Sequence, residues 1–233
     1  MIKKNIPNTI TCLNLFSGCM GIVYAFQGEL KYASIAILVA AIFDFFDGMV
    51  ARVLQVYSDI GKELDSLADM VSFGLLPAVI VYQLFLKAPQ VACLGSYFGF
   101  SAFLIAIFSA LRLAKFNVDT RQSENFIGLP TPANALSVAS LPMIIAEGSV
   151  CLSSFMLNPF FLFAFSLVMS ILLVIELPLL SLKFKNLNIA NNLLRYILIL
   201  SSFILLLIFR FAAVPIILLT YILLSIIQFR IIK

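Results

Sequence analysis

The sequence predicts an all-α integral membrane protein, and three observations carry that prediction. Hydrophobic residues fill 63% of the 233 positions and charged residues only 11%, far from the balance of about a quarter charged found in soluble domains. The apolar residues fall into about eight runs joined by short loops, each near the roughly 20 residues that cross a bilayer core of about 30 Å. The basic residues also collect on alternate loops.

In chain order the spans are expected near 9–26, 32–54, 70–86, 92–116, 129–147, 159–181, 193–209 and 212–229. Lys3 and Lys4 before an apolar run imitate a secretory leader, and Phe16-Ser17-Gly18-Cys19 imitates a lipoprotein cleavage site. Pro7-Asn8 interrupts that run and seven more runs follow, so it is read as a retained first helix that Asn8 and Thr11 can cap. The second run ends, and the third begins, in acidic residues. Gly74 and Pro77 are positioned to kink the third span. The fourth ends at Arg112 and Lys115, and the fifth starts stiffly at Pro130-Thr131-Pro132. Only Arg210-Phe211 separates the last two. Little remains for a soluble domain, so residues 1–233 are expected to form a single membrane domain.

With the N-terminus inside, twelve of the fifteen basic residues lie on the cytoplasmic side, leaving Lys31, Lys87 and Arg210 opposite. That is the positive-inside pattern. The net charge of +4 is therefore a signature of topology, not of nucleic-acid binding. Lys183 and Lys185 are juxtamembrane charges suited to anionic lipid head groups. Cys12, Cys19, Cys93 and Cys151 stand singly in apolar stretches, with no zinc or disulfide spacing.

The acidic residues carry the chemistry, because a carboxylate at membrane depth is costly and marks function. Six of eleven, namely Asp44, Asp47, Asp59, Glu63, Asp65 and Asp69, fall within residues 44–69. Residues three and four apart share a helix face, so Asp44, Asp47, Gly48 and Ala51 make one stripe and Gly61, Asp65 and Asp69 another. A short turn between them predicts an antiparallel pair with both stripes on one cleft. Four converging carboxylates demand a compensating cation, and an all-oxygen set suits Mg²⁺ or Mn²⁺, with capacity for two ions. There is no histidine, which excludes an imidazole-based zinc site and histidine phosphoenzyme chemistry. Gly48, Ala51 and Gly61 leave the cleft wall free for a flat ligand, and Arg52 can meet phosphate oxygens bidentately.

The run Asp44-x2-Asp47-Gly48-x2-Ala51-Arg52-x8-Gly61-x3-Asp65-x3-Asp69 resembles the signature of the CDP-alcohol phosphatidyltransferase family at every fixed position and spacing. The resemblance implies a six-helix catalytic core, here about 1–182, with further helices over about 190–230. It also implies a two-metal centre at Asp44, Asp47, Asp65 and Asp69, with Asp69 additionally the general base, and commonly a homodimer. It places the donor, CDP-diacylglycerol, against Gly48, Ala51, Arg52 and Gly61, with Asn8 and Thr11 at its phosphates.

Further stretches resemble the family's phosphatidylserine synthase branch. They are the opening from Ile6 to Gly18, the stretch Ser72-Phe73-Gly74-x2-Pro77-Ala78, the loop from Leu111 to Asn117, and the loop from Phe126 to Ala133. L-serine is then the implied acceptor, met by Arg112, Lys115 and Asn117, and Lys115 stands where the branch has arginine. Glycerol 3-phosphate or an inositol phosphate remains open as acceptor, with Arg121 able to join Arg112 and Lys115. A cation transporter using the aspartates is the reading from another class, against which stands the absence of a second acidic copy. The expected setting is the cytoplasmic membrane of a prokaryote, with the active site facing the cytoplasm.

Overall fold

A computed structural model describes residues 2–56, 58–89, 96–118, 126–148, 150–180 and 189–230. Arg121, Cys93, Lys183 and Lys185 lie outside the described residues. Helix α1 spans Ile2–Phe26 and α2 spans Leu30–Leu54. The turn between them is made by Gly28 at φ +84°, with Gly28 N–H donating to Ala25 O and Glu29 N–H to Tyr24 O, both 3.0 Å. This paired pattern needs a left-handed residue, for which glycine has no Cβ penalty. It folds α1 and α2 into an antiparallel hairpin.

Helix α1 begins earlier than the sequence suggests and runs through Pro7. Asn8 and Thr11 therefore sit inside the helix instead of capping it, and the Thr11 hydroxyl donates to Pro7 O at 3.1 Å. The buried face of α1 reads Pro7, Thr11, Asn14, Ser17, Gly18, Gly21 and Ala25, a helical stripe of small and polar residues that lets its neighbours approach closely.

The acidic segment is a helix pair. After α2, Gln55 takes a left-handed conformation at φ +51°, and Ser58 caps α3 (Asp59–Asp69) by accepting from Gly61 N–H at 3.0 Å. Residues Met70–Leu75 continue as a π-helix into α4 (Leu76–Lys87). Pro77 has no N–H for the Phe73 carbonyl, and a wider helical turn accommodates that loss. This composite span lies at the centre, where Phe73, Leu76, Ile80 and Leu84 are fully or almost fully buried.

A 3₁₀ segment, Ser96–Phe103, leads into α5 (Leu104–Val118), and α6 spans Thr131–Ala146. Helices α7 (Val150–Met156) and α8 (Pro159–Val174) meet at a bend of 62°. Strands β1 (Phe126–Ile127) and β2 (Pro178–Leu179) form a minimal antiparallel bridge. Helices α9 (Ile189–Phe209) and α10 (Ala213–Arg230) complete the chain.

The all-α membrane class agrees with expectation, whereas the count of eight spans does not emerge. Among the described residues, five helices are long and apolar enough to cross a membrane, or six if the bent α7–α8 pair is one span. Helix α6, with 16 residues, is about 24 Å long at the standard rise, short for a bilayer core. Helices α9 and α10 form one apolar run of 38 residues. A left-handed Arg210, φ +48°, breaks that run, and the two helices pack on each other.

Candidate active site

The two acidic stripes face each other. Carboxylate oxygens of Asp44 and Asp47 on α2 and Asp65 on α3 lie within 4.8 Å of one another. Asp47 Oδ2 and Asp65 Oδ1 are buried and have no hydrogen-bond partner. Buried polar atoms are normally satisfied, and three convergent hard oxygen donors fit a divalent cation such as Mg²⁺ or Mn²⁺. Asp69 stands outside that trio but in electrostatic contact with Asp44, Asp65 and Asp47.

Asp69 is oriented from the first span. Asn14 Nδ2 donates to Asp69 Oδ1 at 3.3 Å, and the Ser72 hydroxyl donates to Asn14 O at 3.0 Å. Gly18 permits this approach, since a Cβ there would lie 3.0 Å from Ser72 Cα.

Beside the trio opens a cleft of about 460 Å³, walled by Asn8 and Thr11 of α1, by Asp47, Gly48 and Ala51 of α2, and by Gly61 and Asp65 of α3. A Cβ on Gly48 would meet nothing closer than Arg52 Nη2 at 4.0 Å, whereas one on Gly61 would crowd Ser58 Oγ at 2.9 Å and Asn8 Oδ1 at 3.0 Å. The small residues thus do two jobs: Gly48 widens the cleft and Gly61 lets α1 and the α3 cap close together. Arg52 is exposed at the rim and turns back along its own helix, Nε donating to Gly48 O at 2.9 Å.

The three residues assigned to the acceptor do not form one cluster. Lys115 pairs with Glu176 at 3.2 Å, both more than half exposed. Asn117 spends its amide on Ser66 Oγ at 2.9 Å, and its carbonyl accepts from Lys62 Nζ at 3.1 Å, so it fastens α5 to α3. Successive residues at 112, 115 and 117 point around the helix, and only Arg112 turns inward. It is 8% exposed, lies over the Phe116 ring at 5.7 Å, and reaches Thr131 Oγ1 through Nη1 at 3.4 Å. Its guanidinium interacts electrostatically with Asp69 and with the Tyr221 phenol.

The sequence model of the CDP-alcohol phosphatidyltransferase family matches residues 4–182. The chain belongs to that family. It is 35% identical over 159 residues to a CDP-diacylglycerol–serine O-phosphatidyltransferase of Bacillus subtilis, covering 66% of this chain and 86% of that protein. It is 38% identical over 143 residues to the Mycobacterium leprae protein of the same name, covering 58% of this chain but 46% of the relative. An archaetidylserine synthase of Methanothermobacter thermautotrophicus is 36% identical over 138 residues, 58% of this chain and 56% of that one. The chain thus spans about half the length of the mycobacterial and archaeal relatives.

Within this family member, sequence reasoning passed over Asn14, Thr131, Asn134 and Tyr221. A signal existed for the first: Asn14 continues the Pro7–Thr11 stripe at helical spacing through an otherwise apolar span. Tyr221 lies in α10, beyond the family match, and its hydroxyl donates to Leu180 O at 3.1 Å. No spacing rule relates it to Arg112.

Proposed function

We propose that the protein transfers the phosphatidyl group of CDP-diacylglycerol to the hydroxyl of L-serine, forming phosphatidylserine and releasing CMP. The observation that carries this reading is Arg112, the one buried guanidinium among the residues whose side chains are described, in electrostatic contact with Asp69 of the acidic cluster whose Asp47 and Asp65 line the cleft. The names of the bacterial relatives support the acceptor.

The cytidine and its phosphates occupy the cleft at Gly48, Ala51 and Gly61, with Asn8 and Thr11 on the facing wall. Asp44, Asp47, Asp65 and Asp69 would hold divalent metal, two ions at full occupancy, which would supply positive charge against the donor diphosphate. Arg112 anchors the serine carboxylate, a planar match for its fork. Asp69 takes the serine hydroxyl proton as the new O–P bond forms at the lipid-proximal phosphorus and the bond to CMP breaks. Asn14, by engaging one Asp69 oxygen, leaves the other to receive that proton. The transfer is direct, since the motif from Asp44 to Asp69 provides no nucleophile beside a separate base.

A phosphorylated acceptor calls for more positive charge than serine does. Among the residues whose side chains are described, Arg112 is the only buried Lys or Arg, which favours serine over glycerol 3-phosphate or an inositol phosphate. The catalytic core covers about residues 1–182 and α9–α10 supplement it. The setting we propose is a prokaryotic cytoplasmic membrane, with the N-terminus and the active site on the cytoplasmic side, and a homodimeric assembly.

The test is CMP release from CDP-diacylglycerol by membranes containing the protein, with serine, glycerol 3-phosphate, inositol phosphate or no acceptor. Release dependent on serine supports the proposal; release only with a phosphorylated acceptor overturns it.

A further inference from the structure

Resting on the serine reading above, we infer that Asn134 is a specificity-determining residue that recognises the acceptor's ammonium group, while Arg112 takes its carboxylate. Asn134 is fully buried, and neither its Oδ1 nor its Nδ2 has a hydrogen-bond partner. A side-chain amide idle at both ends is rare in a protein interior. It sits on α6 one helical turn after Thr131, and Thr131 is the residue that touches the Arg112 guanidinium. Helix α6 packs on the Met70–Leu75 segment that follows Asp69, as does α5, the helix of Arg112.

Two further unsatisfied groups belong to the same region. Arg112 Nε is buried without a partner, and so is Ser109 Oγ, one turn before it on α5. The Ser109 side chain lies against Gly74, where a Cβ would come within 3.1 Å of Ser109 Cβ. The elements around Asp69 therefore present idle donors at Arg112 Nε and Asn134 Nδ2, and idle acceptors at Asn134 Oδ1 and Ser109 Oγ. A ligand that answers such a set carries an anion and a cationic donor close together, which is the chemistry of an α-amino acid. A phosphorylated polyol carries no ammonium to occupy the amide oxygen. The amide also remains neutral, so it can accept from an ammonium without adding another charge to the helices packed around the segment that follows Asp69.

Trimmed acceptors test this on the full-length protein in CDP-diacylglycerol vesicles. L-serine is compared with 3-hydroxypropionate, which lacks the ammonium, and ethanolamine, which lacks the carboxylate. Asn134→Leu is expected to raise the KM for serine by about tenfold or more, as for loss of a hydrogen bond to a charged group, and to leave the KM for CDP-diacylglycerol unaltered. Its preference for serine over 3-hydroxypropionate should collapse while its preference over ethanolamine persists, and Arg112→Gln should show the reverse. Asn134→Asp, which keeps an acceptor oxygen, should retain the preference over 3-hydroxypropionate and controls for misfolding of the leucine variant. If Asn134→Leu and Asn134→Asp both keep the wild-type preference, or both lose all three acceptors and donor affinity together, the inference is overturned. Failure of the wild type to use serine would instead overturn the reading on which it rests.

Discussion

The Asn14 amide donates to the Asp69 carboxylate, Nδ2 to Oδ1 at 3.3 Å, tying the first span to the last aspartate of a motif that lies 55 residues further along the chain. Both residues are held by the same packing, since Ser72, one turn beyond Asp69, bonds back to the Asn14 carbonyl. The orientation of the candidate base thus depends on α1, outside the motif itself.

Asn14→Ala should accordingly lower kcat by about ten- to a hundredfold, the size expected for a hydrogen bond to a charged group. The KM for CDP-diacylglycerol should change little. The thermal unfolding midpoint and the donor-binding stoichiometry of the purified variant separate this from a general loss of fold, which would lower both.

Gly61→Val brings a branched side chain into the space between Ser58 Oγ and Asn8 Oδ1, already 2.9 and 3.0 Å from a single Cβ. The α3 cap and α1 must then separate, and the cleft loses its shape. The expected outcome is a KM for CDP-diacylglycerol raised by about five- to 150-fold, for a cost of about 1–3 kcal/mol from overpacking. Equilibrium binding of the donor to the purified variant checks it.

Gly18→Ala tests the helix contact behind the site. Its Cβ would lie 3.0 Å from the Ser72 backbone, which cannot move without moving the π-helical segment. A loss of about 1–3 kcal/mol is expected from overpacking, read as a lower midpoint of thermal unfolding in detergent.

Metal should stabilise the fold as well as activate the enzyme. Clustered carboxylates repel one another without a cation, and Asp44, Asp47 and Asp65 converge within 4.8 Å. Mn²⁺ at a hundredfold excess over its Kd should add about 2.7 kcal/mol, seen as a raised unfolding midpoint that EDTA reverses. Asp65→Asn should be more stable than wild type in EDTA and gain less from Mn²⁺.

The acidic hairpin was legible because helical spacing alone brings residues 44, 47, 48 and 51 onto one face and 61, 65 and 69 onto another. The surrounding packing was less so. Pro7 was read as an interruption, yet it lies inside α1, because local preference cannot foresee the neighbours that hold a helix through a proline. The π-helical turn at Met70–Leu75 is a register adjustment that hydropathy does not encode. Arg112, Lys115 and Asn117 form one acceptor-binding group in sequence, but the turn of α5 sends them toward the interior, Glu176 and Ser66 in turn. Tyr221 reaches the Arg112 region only through the folding of α10 against α6 and β2, a long-range contact with no local signal.

The central claim, that the acidic cluster performs phosphatidyl transfer with Asp69 as base, is tested most directly by incorporation of radiolabelled serine into lipid. Wild type and Asp69→Asn are compared in CDP-diacylglycerol vesicles with Mn²⁺, and donor binding is measured on the same samples. Labelled phosphatidylserine is expected from the wild type, with a loss of about 10²–10⁴-fold in the variant, the usual contribution of a positioned base, and donor still bound. Incorporation by Asp69→Asn at the wild-type rate would contradict the claim.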